Sequence, residues 1–184
     1  TERQQLLVGW NVPRADYPHD ARIHDLFQAQ AQRTPDAVAL VEHDPDTTVA
    51  AQISYRELAQ RSEQLAHYLH HLGVTRGTPV GVALERSIDQ VIALLGILQA
   101  GGAYVPLDPN YPRERLAFLL DDTQLQFLLT RREVGTRLPE HNALTVYMDT
   151  ARDKIESLAG EWRSPAGSSD DIAYVLYTSG STGQ

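Results

Sequence analysis

The stretch Val80-Gly-Val-Ala-Leu-Glu-Arg-Ser-Ile-Asp-Gln-Val-Ile-Ala-Leu-Leu-Gly-Ile-Leu-Gln-Ala-Gly-Gly-Ala-Tyr-Val-Pro-Leu107 decides the fold class. Val80 to Leu84 is an apolar run of strand length. Ser87 then caps a helix whose inward positions are Ile88, Val91, Ile92, Leu95 and Leu98, and Gly101-Gly102 ends it. Ala103 to Leu107 is extended again, with Pro106 marking a strand end or edge. Strand, helix and strand at this spacing form a βαβ unit, and two strands joined by a helical crossover run parallel.

The same alternation continues on both sides. Residues 21–33 place Ile23, Leu26, Phe27 and Ala31 on one helical face, and Thr34-Pro35-Asp36 stops that helix. Val38 to Val41 reads as a short strand, and His43 to Gln52 as a polar connection with a turn at Asp44-Pro45-Asp46. Ser54 and Glu57 form an S-x-x-E capping box before Leu58, Leu65, Leu69 and Leu72, and Gly73 supplies the left-handed stop. Beyond the central unit, residues 112–122 predict a helix burying Leu116, Leu119 and Leu120. Residues 126–130 and 143–148 predict strands, 150–171 mostly loop, and Ile172 to Tyr177 a last apolar strand. Residues 1–20, with Trp10, Pro13, Tyr17 and Pro18 and no sustained periodicity, read as an interdomain linker or strap. The expected organisation is therefore a linker at 1–20 followed by an α/β unit, with strands and helices alternating, over 21–184.

Composition narrows the function. The 184 residues carry a formal charge of −8, with 42% hydrophobic and 22% charged residues, which is the make-up of a globular chain. An acidic balance argues against a nucleic-acid binder, which needs a basic stripe. There is no cysteine, so disulfides, thiolate metal sites and a cysteine nucleophile are excluded. No apolar stretch approaches the ~20 residues of a membrane span. Thr1-Glu-Arg-Gln-Gln is not a secretory leader; the start reads as cut from a longer chain, and the expected setting is cytoplasmic.

The chemistry concentrates at the end of the last apolar run. Thr178, Ser179, Gly180, Ser181, Thr182 and Gly183 combine two glycines with four hydroxyls. Glycines let successive amides turn inward, and hydroxyls add donors, so the segment has the make-up of a phosphate cradle; a flexible loop has the same composition. It is neither G-x-x-x-x-G-K-[ST] nor G-x-G-x-x-G. His70-His71 fits a solvated helix end better than a metal site, because adjacent helical positions do not face one ion and no third ligand follows at suitable spacing. Nor does Thr75-Arg76 supply the Asp-Gly of a condensation-domain His-His motif. Asp121-Asp122 and Asp170-Asp171 read as solvated charge, Glu57 as a helix cap, and Tyr104, Tyr174 and Tyr177 as packing residues. No metal ligand is assigned.

The chain resembles the adenylation domain of nonribosomal peptide synthetases, within the superfamily of adenylate-forming enzymes. Three motifs carry the resemblance, in order: Ile53-Ser-Tyr-Arg-Glu-Leu58; Leu98-Gln-Ala-Gly-Gly-Ala-Tyr-Val-Pro-Leu-Asp108 followed by Pro109 and Tyr111-Pro112; and Ile172-Ala-Tyr-Val-Leu-Tyr-Thr-Ser-Gly-Ser-Thr-Gly183. Gly9-Trp10-Asn11 and Thr34-Pro35-Asp36 also look like the linker and entry of such synthetases. Gln99 stands where the family usually has lysine, which is expected to be a tolerated surface change. The chain stops where the family continues with Pro-Lys-Gly, so it corresponds to the leading part of such a domain.

The resemblance implies that an amino acid carboxylate attacks the ATP α-phosphate, with Mg²⁺, to give aminoacyl-AMP and pyrophosphate. The aminoacyl group then passes to the phosphopantetheine thiol of a carrier domain. A condensation domain is the expected upstream neighbour. By the family pattern, Thr178, Ser179, Gly180, Ser181, Thr182 and Gly183 clasp ATP phosphates, while catalytic residues lie downstream of Gln184 and the fragment alone is inactive. The alternatives are a fragment of an acyl-CoA or aryl-acid synthetase of the same superfamily, or a non-catalytic interaction piece.

Overall fold

The computed structural model describes residues 2–11, 18–43, 50–158 and 162–178. Its centre is a four-stranded, all-parallel sheet: β3 (Pro79–Ala83), β4 (Ala103–Pro106), β5 (Phe127–Thr130) and β6 (Leu144–Tyr147), in the spatial order β4-β3-β5-β6. Val80 lies opposite Tyr104 on one side and Phe127 on the other, so β3 is enclosed. β4 is an edge of this sheet and Pro106 its last residue, as the proline predicts.

Alternation along the strands sorts the core into two layers. Val80, Val82, Phe127, Leu129 and Val146 face one way, against α3 (Tyr55–Leu72) and α4 (Ile88–Gln99). Ala83, Val105 and Leu128 face the other way, against Leu116, Leu119 and Leu120 of α5 (Arg113–Asp122). Covered on both faces, these strands need apolar residues at nearly every position, which is why they read as unbroken apolar runs. Gly81 allows α5's side of the sheet to close, because a Cβ there would sit 2.7 Å from Leu125 and 2.8 Å from Leu128.

Helix ends follow their local chemistry. The Ser54 hydroxyl accepts from the Glu57 amide at 3.2 Å, and the Ser54 amide donates to Glu57 Oε2 at 2.9 Å. Gly73 closes α3 at φ 108°, in the left-handed region. Ser87 caps α4 through the Gln90 amide, and Glu42 Oε2 accepts from the Ile88 amide at 2.8 Å.

Several expectations are corrected. β1 (Val38–Glu42) pairs antiparallel with β2 (Ala51–Ser54), a strand within and beyond the stretch read as polar connection. Its residues carry little apolar signal of their own, and pairing with β1 makes the strand. The expected turn at Asp44-Pro45-Asp46 lies outside the described residues. α2 (Ile23–Arg33) buries His24 and Ala31 while Ile23 and Leu26 stay exposed, so its inward face is rotated from the one the periodicity suggested. Two short helices, α6 (Arg132–Gly135) and α7 (Arg152–Ser157), occupy stretches without a helix-length pattern; α7 is pinned by Ile155 in the α3–α4 layer. α1 (Glu2–Leu7) and a 3-10 turn at Gly9–Asn11 precede the α/β unit, and α1 has no buried residue.

The final apolar run does not form a full strand. Only Tyr104 and Tyr174 make a parallel bridge, with the Tyr104 amide donating to Ala173 O at 3.0 Å and the Val175 amide to Tyr104 O at 3.0 Å. The run adds along β4, extending the sheet outward at that edge.

Candidate functional site

The site is built by residues 162–178, which cross the molecule before reaching the hydroxyl-rich segment. Trp162 stacks on His67 at 5.4 Å and packs at 59° on His70 at 5.2 Å. His70 is thus an exposed helix-end residue that also supports an indole ring. Ser164 Oγ donates to Gln99 O at 2.6 Å, and the Arg22 guanidinium donates to Pro165 O at 3.0 Å. Gln99 itself is 2% exposed, and its side-chain amide has no hydrogen-bond partner among the described residues. The expected surface change is therefore a buried one. α4 is enclosed by the sheet and α3, and Ser164 binds the last residue of its final turn.

Asp171 ties this path down. It accepts from the Ser168 amide at 3.0 Å and from Arg76 Nε at 2.7 Å. The Ser168 N–H, followed by Arg76, holds its carboxyl below the usual carboxylate range. The reading of Asp170-Asp171 as solvated charge is corrected for Asp171, whose partner Arg76 comes from the loop before β3. Arg22, in turn, grips both carboxylate oxygens of Asp25. Beside it the buried His24 is pushed below its ordinary value, first by desolvation and then by Arg22. Asp25 Oδ1 lies 3.9 Å from His24 Nε2, but both Asp25 oxygens are already taken by Arg22, so burial prevails.

Beyond Asp171, the run 172–177 passes along β4. Tyr104 and Tyr174 stack at 5.5 Å with their planes at 29°, a packing contact made at the exposed edge, where Tyr174 stays 48% exposed. At the far end Tyr177 turns inward. Its ring meets Phe118 edge-on at 6.4 Å, and its hydroxyl donates to Asp122 Oδ2 at the C-terminus of α5. Burial, then the Asp122 carboxylate, push the Tyr177 hydroxyl up to about 12. Asp122 is exposed yet engaged, which corrects its reading as merely solvated, and Tyr177 does more than pack.

Thr178 follows, exposed, beyond the bridge that aligns 172–177 with β4. Ser179, Gly180, Ser181, Thr182 and Gly183 lie outside the described residues. The run is parallel to β4, so it brings Thr178 toward the carboxyl-terminal edge of the sheet, where open α/β sheets bind their ligands. Neither partner of the Tyr177–Asp122 or Arg76–Asp171 contacts carries a spacing signal, because their members are 55 and 95 residues apart.

Residues 27–184 match the family model described as AMP-binding enzyme, and the chain belongs to that family. Its relatives include peptide synthetases, and the chain corresponds to the N-terminal part of a nonribosomal peptide synthetase adenylation domain. It is 42% identical to chondramide synthase cmdD of Chondromyces crocatus over 99% of this chain and 5% of that protein. To bacitracin synthase 3 of Bacillus licheniformis it is 40% identical, over 100% of this chain and 3% of that protein. Among solved structures, the AMPPNP-bound form of the nonribosomal peptide synthetase FmoA3 superimposes with a TM-score of 0.79 and 32% identity, covering 97% of this chain and 18% of that one. The N-terminal subdomain of Klebsiella oxytoca NpsA matches with a TM-score of 0.74 and 29% identity, over 90% of this chain and 41% of that one. The chain thus spans a few per cent of the curated synthases and less than half of each solved structure.

Proposed function

We propose that this chain works as the leading part of an adenylation domain in a nonribosomal peptide synthetase module. The complete domain activates an amino acid with ATP as aminoacyl-AMP and loads it on the phosphopantetheine of a carrier domain. The observation that supports this reading is the bridge to β4, which aligns the run ending at Thr178 with the sheet edge where such folds bind ligands. The donor set fits phosphate: Thr178, Ser179, Gly180, Ser181, Thr182 and Gly183 offer hydroxyls and amides, with no carboxylate to repel an anion. Mg²⁺ would come with the ATP phosphates and neutralise their charge. These residues position and stabilise, which is most of what phosphoryl chemistry asks of a protein.

Catalytic residues beyond Gln184 complete the site, and the chain alone is inactive in this reading. Residues 1–20 serve as the linker from an upstream condensation domain, a role that suits an α1 with no buried residue. Among the described residues no helix is long and apolar enough to cross a membrane. The setting proposed is the cytoplasm, where ATP is supplied. A second reading, an aryl-acid-activating parent, is favoured by the likeness to NpsA, which has been solved with 3-hydroxybenzoyl-AMSN.

Amino-acid-dependent ATP–pyrophosphate exchange by the complete adenylation domain tests the proposal. Exchange driven by a proteinogenic amino acid supports it, and exchange driven only by aryl acids selects the second reading. Thr182→Val in that domain should slow adenylate formation by on the order of a hundred- to a thousandfold, about 2.7–4 kcal/mol, with amino acid affinity unchanged. A rate within about threefold of the unmodified domain would leave Thr182 a structural residue.

A further inference from the structure

We propose that Tyr177 is a positioning residue for ATP, anchoring the base of the phosphate segment to α5 through its hydroxyl on Asp122 and its ring on Phe118. Along 172–178 only Ala173 and Tyr177 turn partly inward, while Ile172, Tyr174, Val175 and Leu176 are exposed. After the bridge at Tyr174, Tyr177 is therefore where this run is next held, one residue before Thr178. Its partners lie on a rigid element: Leu116, Leu119 and Leu120 bury α5 in the core layer that includes Val105 of β4 and Leu128 of β5. The phenol stays protonated well above any working pH, so it remains a donor to the carboxylate throughout. The anchor spans two elements, the end of α5 and the end of the β4-paired run, and so fixes the position from which Thr178 continues. A donor array that is held in place before ATP arrives loses less freedom on binding it.

This inference rests on the reading of residues 178–183 as the phosphate segment, and the experiment separates the two. In the complete adenylation domain, Tyr177→Phe removes only the hydroxyl and Asp122→Ala only its acceptor. Each is expected to raise the KM for ATP by about ten- to a hundredfold, the range for loss of one hydrogen bond to a charged group. The KM for the amino acid should stay within about twofold. The double variant should be no worse than either single one, since both cut the same contact. Asp122→Asn, which keeps an acceptor of the same shape, should recover most of the ATP affinity. An unchanged ATP KM in Tyr177→Phe beside an impaired Thr182→Val overturns the anchor and leaves the phosphate segment standing. Wild-type behaviour in both variants overturns the segment's role and the anchor with it. An equal rise in both KM values together with a lowered melting temperature also overturns the proposal, because it shows a residue that supports folding alone.

Discussion

At the residue scale, Asp171 shows how one carboxylate organises a chain crossing. It takes a backbone N–H from its own turn and the guanidinium of Arg76 from across the fold, and Arg22 lies near enough to lower it further. The sign of its pH effect follows. A carboxyl held below its unfolded value near 3.8 adds stability at all higher pH, and that stability is lost as the pH falls through the lower folded-state value. Asp171→Asn should therefore weaken the chain at neutral pH and flatten its loss of stability below about pH 4. Urea midpoints of both forms between about pH 2.5 and 7 check this; parallel curves would mean that Asp171 does not contribute to acid unfolding. Gln99 teaches a different lesson at the same scale. Its composition class says surface, yet its place on α4 puts the amide where no described group answers it.

At the element scale, the packing of α3 on α4 depends on one missing side chain. A Cβ at Gly96 would lie 2.8 Å from Leu65 Cδ2, 2.9 Å from Cγ and 3.1 Å from Cβ. Leu65 Cβ is fixed to the helix backbone and Leu65 is fully buried, so the clash cannot be relieved by a swinging tip. Gly96→Ala gains about 1 kcal/mol of helix propensity but forces the two helices apart, at about 1–3 kcal/mol of overpacking. The expected net outcome is a destabilisation of about 1 kcal/mol, read as a lower urea midpoint with an unchanged slope. A more stable variant would show that α4 can shift away from α3 without loss. The elements themselves were legible where pattern and caps agree: α3 from its capping box and leucine repeat, and α4 from Ser87 and its apolar run. β2 and α7 were not, because a strand of Ala-Gln-Ile-Ser and a two-turn helix gain their stability from β1 and from the α3–α4 layer.

At the scale of the whole molecule, the sheet ends in an apolar border. Ile172, Tyr174, Val175 and Leu176, with Phe118 nearby through Tyr177, leave large hydrophobic side chains in water along the run outside β4. A run bridged to the sheet on one side only offers backbone donors and acceptors as well as apolar side chains to another chain. The isolated chain should therefore associate as its concentration rises. Size-exclusion chromatography across a roughly hundredfold concentration range checks this, and Leu176→Lys should shift the elution toward monomer. A monodisperse monomer at all concentrations, melting in one sharp transition, would mean that the border is covered by the chain itself.

What the sequence by itself determined is the α/β class and the order of the main helices and strands, with a hydroxyl- and glycine-rich segment at the end of the last apolar run. These rest on local quantities: apolar period, capping residues, glycine stops and the density of hydroxyls after an apolar run. Only the tertiary structure decided which contacts hold the run leading to that segment. The bonds from Arg76 to Asp171 and from Tyr177 to Asp122 join residues far apart in the chain. Single charged or phenolic residues look alike in sequence whether they face water or a partner. The partner is chosen by how the sheet and its two helical layers stack, and that depends on the chain as a whole.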